Sequence, residues 1–192
     1  MPWQGLGSLR FGMTPVEVAE HDATYGAPEV SRELTAAEEE KVIEETFALM
    51  GDSIPPNERG QLAELMRQQF AVARERRTEV RHAAGLVLDY VENALDMIVI
   101  APKAPRAHLD GLHPLVADPL VVVEALGLRN GGDVLAIKSS LYFDRLGIHL
   151  TAFVRYGARG FVALDEPEAR AVSLNARTAE IDTTGMTRIA TG

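Results

Sequence analysis

The chain has 192 residues, a formal net charge of -9 and no cysteine, with 46 % hydrophobic and 24 % charged residues. That length supports one sizeable core without disulfide or metal staples, and the balance is globular, which excludes disordered and fibrous classes. The acidity repels phosphate backbones and anionic membranes, so nucleic acid and membrane are set aside as partners.

The missing thiols remove disulfides, thiolate metal sites and a cysteine nucleophile, and they suit a reducing compartment, so the expected location is cytoplasmic. Met1-Pro2-Trp3-Gln4-Gly5 has neither a basic start nor an apolar run, and Asp118 and Pro119 interrupt the apolar stretch at 115–123. Neither a signal peptide nor a membrane span is expected.

Residues 6–13 are short, apolar and punctuated by glycine, and Thr14-Pro15-Val16-Glu17 follows at once. Thr14 is a capping residue, Pro15 fits the first helical position, and Glu17 stands where a capping-box acid belongs. Gly26 ends this helix, with Pro28 just beyond.

Residues 31–82 carry 8 Lys/Arg and 11 Asp/Glu, with apolar positions at helical spacing. Two amphipathic helices are expected there. The first opens at Thr35 with Glu38 as its box partner, exposes Glu38, Glu39 and Glu40, buries Ile43, Phe47 and Met50, and stops at Gly51. The second opens near Pro56 and lines up Leu62, Leu65, Met66, Phe70 and Ala73. Together they form a helical hairpin inserted at residues 31–83.

After Gly85 the period changes to two. Residues 86–91 and 94–101 read as strands around the turn Glu92-Asn93. Asp118-Pro119 starts a buried helix that ends at Gly127, echoing Thr14-Pro15. Residues 134–143, 148–154 and 161–164 read as three further strands of a meander. Residues 147–167 line up loosely with residues 85–102, each running glycine, strand, polar turn, strand, proline, which leaves a duplicated fold and an unduplicated one both open. Residues 169–192 read as a polar C-terminal tail, partly docked through Val172 and Leu174.

Phe11-Gly12-Met13-Thr14-Pro15-Val16-Glu17-Val18, closed by Gly26 and Pro28, resembles the glycine-methionine-threonine start of SmpA/OmlA-like and β-lactamase-inhibitor-protein-like domains. The hairpin at 85–101 is similar to the strands that follow in them. The resemblance implies helices laid on one face of an antiparallel sheet, with the other face free to meet a protein partner. No lipid-anchoring cysteine is present, so an outer-membrane role does not carry over.

Several groups of residues invite a chemical reading. His108, Asp110 and His113 are metal-binding types within six residues, set in a loop by Gly111 and Pro114. Ser139 and Ser140 precede Leu141, and His149 could reach them across the sheet, but no Gly-x-Ser-x-Gly elbow occurs. Gly131-Gly132-Asp133 and Gly157-Ala158-Arg159-Gly160 lack the context and lysine of a phosphate cradle and read as turns.

Arg74, Arg76, Arg77 and Arg81 cluster where the second inserted helix should end, fitting the negative end of its dipole or an acidic partner. Tyr142, Phe143, Phe153, Tyr156 and Phe161 are half of the ten Phe and Tyr residues, so the last meander either dominates the core or presents an aromatic patch through Tyr142 and Tyr156.

The expected fold is α+β: an antiparallel sheet with helices on one face and an inserted helical hairpin, forming one domain over residues 1–168. The expected function is non-catalytic protein binding of an inhibitor- or immunity-protein kind, without a cofactor. A hydrolase or metal-dependent enzyme using the loop histidines is the alternative. A homodimer through Leu62, Leu65, Met66 and Phe70 would be a further form of binding.

Overall fold

The computed structural model describes residues 4–32, 35–50, 55–74, 76–102, 104, 108–109, 111–158, 160–176 and 183–191. A small hairpin, β1 (Gly5–Leu6) and β2 (Leu9–Arg10), leads into helix α1 (Pro15–Ala19). The cap is reciprocal: the Glu17 amide donates to the Thr14 hydroxyl at 3.3 Å, and the Thr14 amide donates to the Glu17 carboxylate at 2.7 Å. The chain breaks after Ala19 and resumes as α2 (Asp22–Tyr25), so one expected helix is two short ones ending at Gly26. The Tyr25 hydroxyl donates to the Leu6 carbonyl and accepts from the Ser8 amide, both at 3.1 Å, fastening the hairpin to α2.

Strand β3 (Val30–Arg32) precedes the inserted pair α3 (Ala36–Met50) and α4 (Pro56–Arg74). Thr35 and Glu38 close the expected box, with the Thr35 amide 2.8 Å from the Glu38 carboxylate. Arg67 reaches across the pair to Glu40 at 2.7 Å. Ile43 is buried as its spacing predicts, yet Glu39 is buried too, while Leu65 and Met50 are exposed. Among the described residues neither helix contributes to the main hydrophobic cluster. An amphipathic stripe fixes which residues lie on one side of a helix, but tertiary packing decides which side is covered.

Strand β4 (Arg76–Arg81) replaces the helix end expected at the arginines, so the insertion between strands is shorter than residues 31–83. Next come β5 (Leu86–Val91) and β6 (Ala94–Ile100). Glu92 and Asn93 both have positive φ, 50° and 64°, as a tight two-residue hairpin turn requires. Helix α5 (Pro119–Asn130) follows, capped by Asp118, whose carboxylate accepts from the Leu120 amide at 2.8 Å. It runs three residues past Gly127 and stops at Gly131.

The remaining strands are β7 (Asp133–Ile137), β8 (Ser140–Phe143), β9 (Ile148–Thr151), β10 (Val154–Gly157), β11 (Gly160–Ala163), β12 (Ala171–Asn175) and β13 (Thr187–Ala190). Residues 134–143 are therefore a hairpin rather than one strand, turning at Lys138 with φ 52°. Residues 148–154 likewise break at Ala152, φ 58°. No glycine or asparagine marks either turn. The Ala152 amide donates to the Ser139 carbonyl at 3.0 Å, so one turn helps hold the other.

Among the described residues nine strands form one antiparallel sheet in the order β13-β7-β8-β9-β12-β6-β5-β4-β3. Apart from β13 the order is mirrored about the β6–β12 pair. A capped helix and then β3, β4, β5, β6 on one side answer a capped helix and then β7, β8, β9, β12 on the other. Gly85 and Gly147 enter the equivalent strands β5 and β9 with left-handed φ of 64° and 69°. Thus β6 is matched by β12 rather than by β11, which pairs with β10 in a separate hairpin. The stretch expected as a partly docked tail supplies a central strand and an edge strand. Val172 and Leu174 are fully buried there.

One sheet face and the helices enclose the core. Leu86, Leu88, Ile98, Ile100, Val172, Leu174, Ile148, Leu150, Leu141 and Phe143 join Val18 of α1 and Val122, Val123 and Leu126 of α5 in a single cluster. Each such side chain contributes on the order of 1.5–3 kcal/mol through burial, so the alternation that assigns them to this face fixes the register of every strand.

Candidate functional site

The face turned away from α1 and α5 carries the other half of each alternation. Residues paired directly across antiparallel strands share a face. Register therefore places Arg188, Leu135, Tyr142, His149, Ser173, Val99, Val87 and Val80 in one continuous row across eight strands. The seven from Leu135 to Val80 are all partly exposed, although every inward neighbour on β5, β8, β9 and β12 is buried. A second row, Ile137, Ser140, Thr151 and Ala171, runs beside it.

The row has two chemical ends. On β4, β5 and β6 it is aliphatic, with Val80, Val87 and Val99, and Met97 adjoins it. Asp89 on this side is held by the Thr78 hydroxyl at 2.6 Å. On β8, β9 and β12 it is Tyr142, His149 and Ser173. The Tyr142 and His149 rings meet edge to face at 6.5 Å. Burial pushes the His149 imidazole below its ordinary value, so the ring is neutral at physiological pH. Its Nε2 is buried without a hydrogen-bond partner. Burial, with Asp144 nearby, pushes the Tyr142 hydroxyl up, and it remains a neutral donor.

The arrangement can bury apolar and aromatic surface against another molecule and offer it uncharged hydrogen-bonding groups. No hydrogen bond joins His149 to Ser173, and Ser140 lies opposite Thr151 rather than His149. The expected serine–histidine approach is therefore not formed. Sequence reading singled out Tyr142 but missed Ser173, Val99 and Val87. Their signal was the period-two alternation on β5, β6 and β12, which names a face without saying that it stays open.

The other expected site residues are dispersed. Arg81 is fully buried: it bonds Asp22 at 2.6 Å and Glu79 at 2.9 Å and also donates to the Gly26 carbonyl. Arg77 reaches the same Glu79 at 3.0 Å, and the Tyr90 hydroxyl donates to it at 3.1 Å. Arg81 thus faces inward and ties β4 to α2 through Asp22, while Arg77, its side chain 34 % exposed, pairs with Glu79 of its own strand. Arg74 closes α4, and its side chain lies outside the described residues.

Tyr156 is exposed on β10, resting on Phe161 with ring centres 5.4 Å apart. His108 and His113 meet edge to face at 4.9 Å, while Asp110 lies outside the described residues. Among the described residues no three metal-ligating side chains converge, and no helix is long and apolar enough to cross a membrane. No family model, curated protein or solved structure matches the chain.

Proposed function

We propose that this chain is a non-catalytic protein-binding module, of the inhibitor or immunity-protein kind, that receives its partner on the open face of the sheet. The observation that carries this reading is the row from Leu135 to Val80, where seven adjoining strands each present a partly exposed side chain with no charge. Charge depletion with aromatic and aliphatic enrichment is the composition of an interface centre. Charged groups stand at its margins, Arg188 on the edge strand and Asp89 toward the other end.

The test is affinity capture from the native host with wild-type protein and with Val87→Lys/Val99→Glu, which puts an opposite-charge pair across the two strands. Both positions are partly exposed, so the variant is expected to keep the wild-type urea midpoint. One stoichiometric protein recovered with wild type and lost with the variant supports the reading. Retention of that protein by the folded variant, or no stoichiometric protein at all, overturns it.

A further inference from the structure

The opposite side of the molecule holds a second surface that nothing in the described chain covers. Helix α5 faces the core with Val122, Val123 and Leu126, yet its outer side is apolar as well: Leu120 is 42 %, Val121 51 % and Leu128 70 % exposed. Exposed apolar residues grouped in this way mark an interaction surface, and the helix also exposes Glu124 and Arg129. Strand β11 lies beside α5 and carries Phe161, on which the exposed Tyr156 rests. Leu120, Glu124 and Leu128 follow one another turn by turn, so an exposed carboxylate stands in the middle of the apolar stripe. On leaving β11 the chain presents Asp165, Glu166 and Glu168, all exposed. By alternation Arg155 points away from the hairpin face that carries Tyr156 and Phe161.

We infer that the outer face of α5, with Tyr156, seats a cationic amphipathic segment of another protein. Apolar side chains would lie on Leu120, Val121 and Leu128, and a lysine or arginine would stand opposite Glu124. A second copy fits worse. A two-fold antiparallel pairing of the stripes centres on residue 124 and sets Glu124 against its own copy, in a chain whose net charge is -9. An anionic membrane meets the same repulsion. This surface is independent of the open sheet face, so the chain has the geometry of an adaptor holding partners on both sides.

The test is a heteronuclear NMR titration of the full chain with a helical leucine–lysine peptide of about 14 residues, long enough to span α5. Amide shifts confined to α5, β10 and β11 are expected, with affinity falling about tenfold in Leu128→Glu and in Glu124→Lys. Tyr142→Ala should leave it unchanged. Leu128→Ala provides a milder variant if Leu128→Glu fails to fold. The inference is overturned by shifts located elsewhere, by folded Leu128 variants that bind as wild type does, by equal binding of a leucine–glutamate peptide, or by light scattering that shows a dimer dispersed by Leu128→Glu.

Discussion

The two halves of the sheet share a strand order and a helix start but hold their helices down by different chemistry. In the first half, Arg81 and Glu79 point into the core and meet Asp22, Tyr90 and Arg77, so α2 is tied to β4 by buried charge. In the second half, Val122, Val123 and Leu126 of α5 join Leu141, Phe143, Ile148 and Leu150 in one apolar cluster, with α5 set beside β7 and β8, and the ion pairs of Arg188 lie at the rim. There Arg188 holds Asp133 at 2.8 Å and Asp144 at 2.7 Å. Burial pushes the Asp144 carboxyl up, and bonds from Arg188 and Asn130 outweigh it, leaving it below the usual carboxylate range. The same arrangement of strands is thus compatible with a polar linchpin or an oily one, because strand order depends on turns, caps and alternation.

The contrast is sharpest for the linchpins themselves. Glu79→Ala takes from Arg81 one of its two carboxylates, leaving it Asp22 and the Gly26 carbonyl, and also deprives Arg77 and the Tyr90 hydroxyl of their shared acceptor, so it should cost about 3 kcal/mol by urea denaturation. A loss under about 1 kcal/mol would show that water or rearrangement satisfies Arg81, and the halves would then differ less than they look. Leu126→Ala in the second half should cost about 3 kcal/mol through lost burial and a cavity, with no dependence on salt. Equal salt sensitivity of the two variants would erase the distinction.

Gly147→Ala tests a feature that both halves share. Its φ of 69° suits glycine, and an added Cβ would stand 2.8 Å from the Asn175 carbonyl oxygen, so roughly 1–2 kcal/mol of backbone strain is expected beyond any clash. An unaffected melting curve would mean that the junction with β12 yields.

The smallest effect concerns His149, which has no counterpart in the first half, where Val87 occupies the matching strand. Its folded pKa lies below the ordinary 6.5, so the unfolded chain takes up the proton first as pH falls. Stability should therefore decline from about pH 7 to about pH 5, and His149→Gln should flatten that decline. An identical pH profile for the variant would remove His149 as its source.

Where the sequence carried local punctuation, the elements were legible. Thr14-Pro15 and Thr35 with Glu38 announced helices, Glu92-Asn93 announced a hairpin, and Asp118-Pro119 outweighed the β-branched run Val121-Val122-Val123. What escaped notice lacked such marks. Lys138 and Ala152 turn the chain without a glycine, held by hydrogen bonds that exist only once the sheet is assembled. Arg76–Arg81 has the composition of a solvated helix end, yet its alternation sends Glu79 and Arg81 inward to partners as far off in sequence as Asp22. Val172 and Leu174 looked like a docked tail because only tertiary pairing reveals a gap between β6 and β9. The open face was half legible: Tyr142 was named, but Ser173 and Val99 gained meaning only from cross-strand register.

That gap has a consequence for how the molecule is made. Among the described residues strand β12 alone bridges the four-stranded block ending in β6 to the block ending in β9, and it leaves the ribosome about 70 residues after β6. At about 5–20 residues per second, β6 waits several seconds with a bare, hydrophobic rim. A nascent or prematurely terminated chain ending before Ala171 would hold two unzipped blocks, each able to add a foreign strand where β12 belongs.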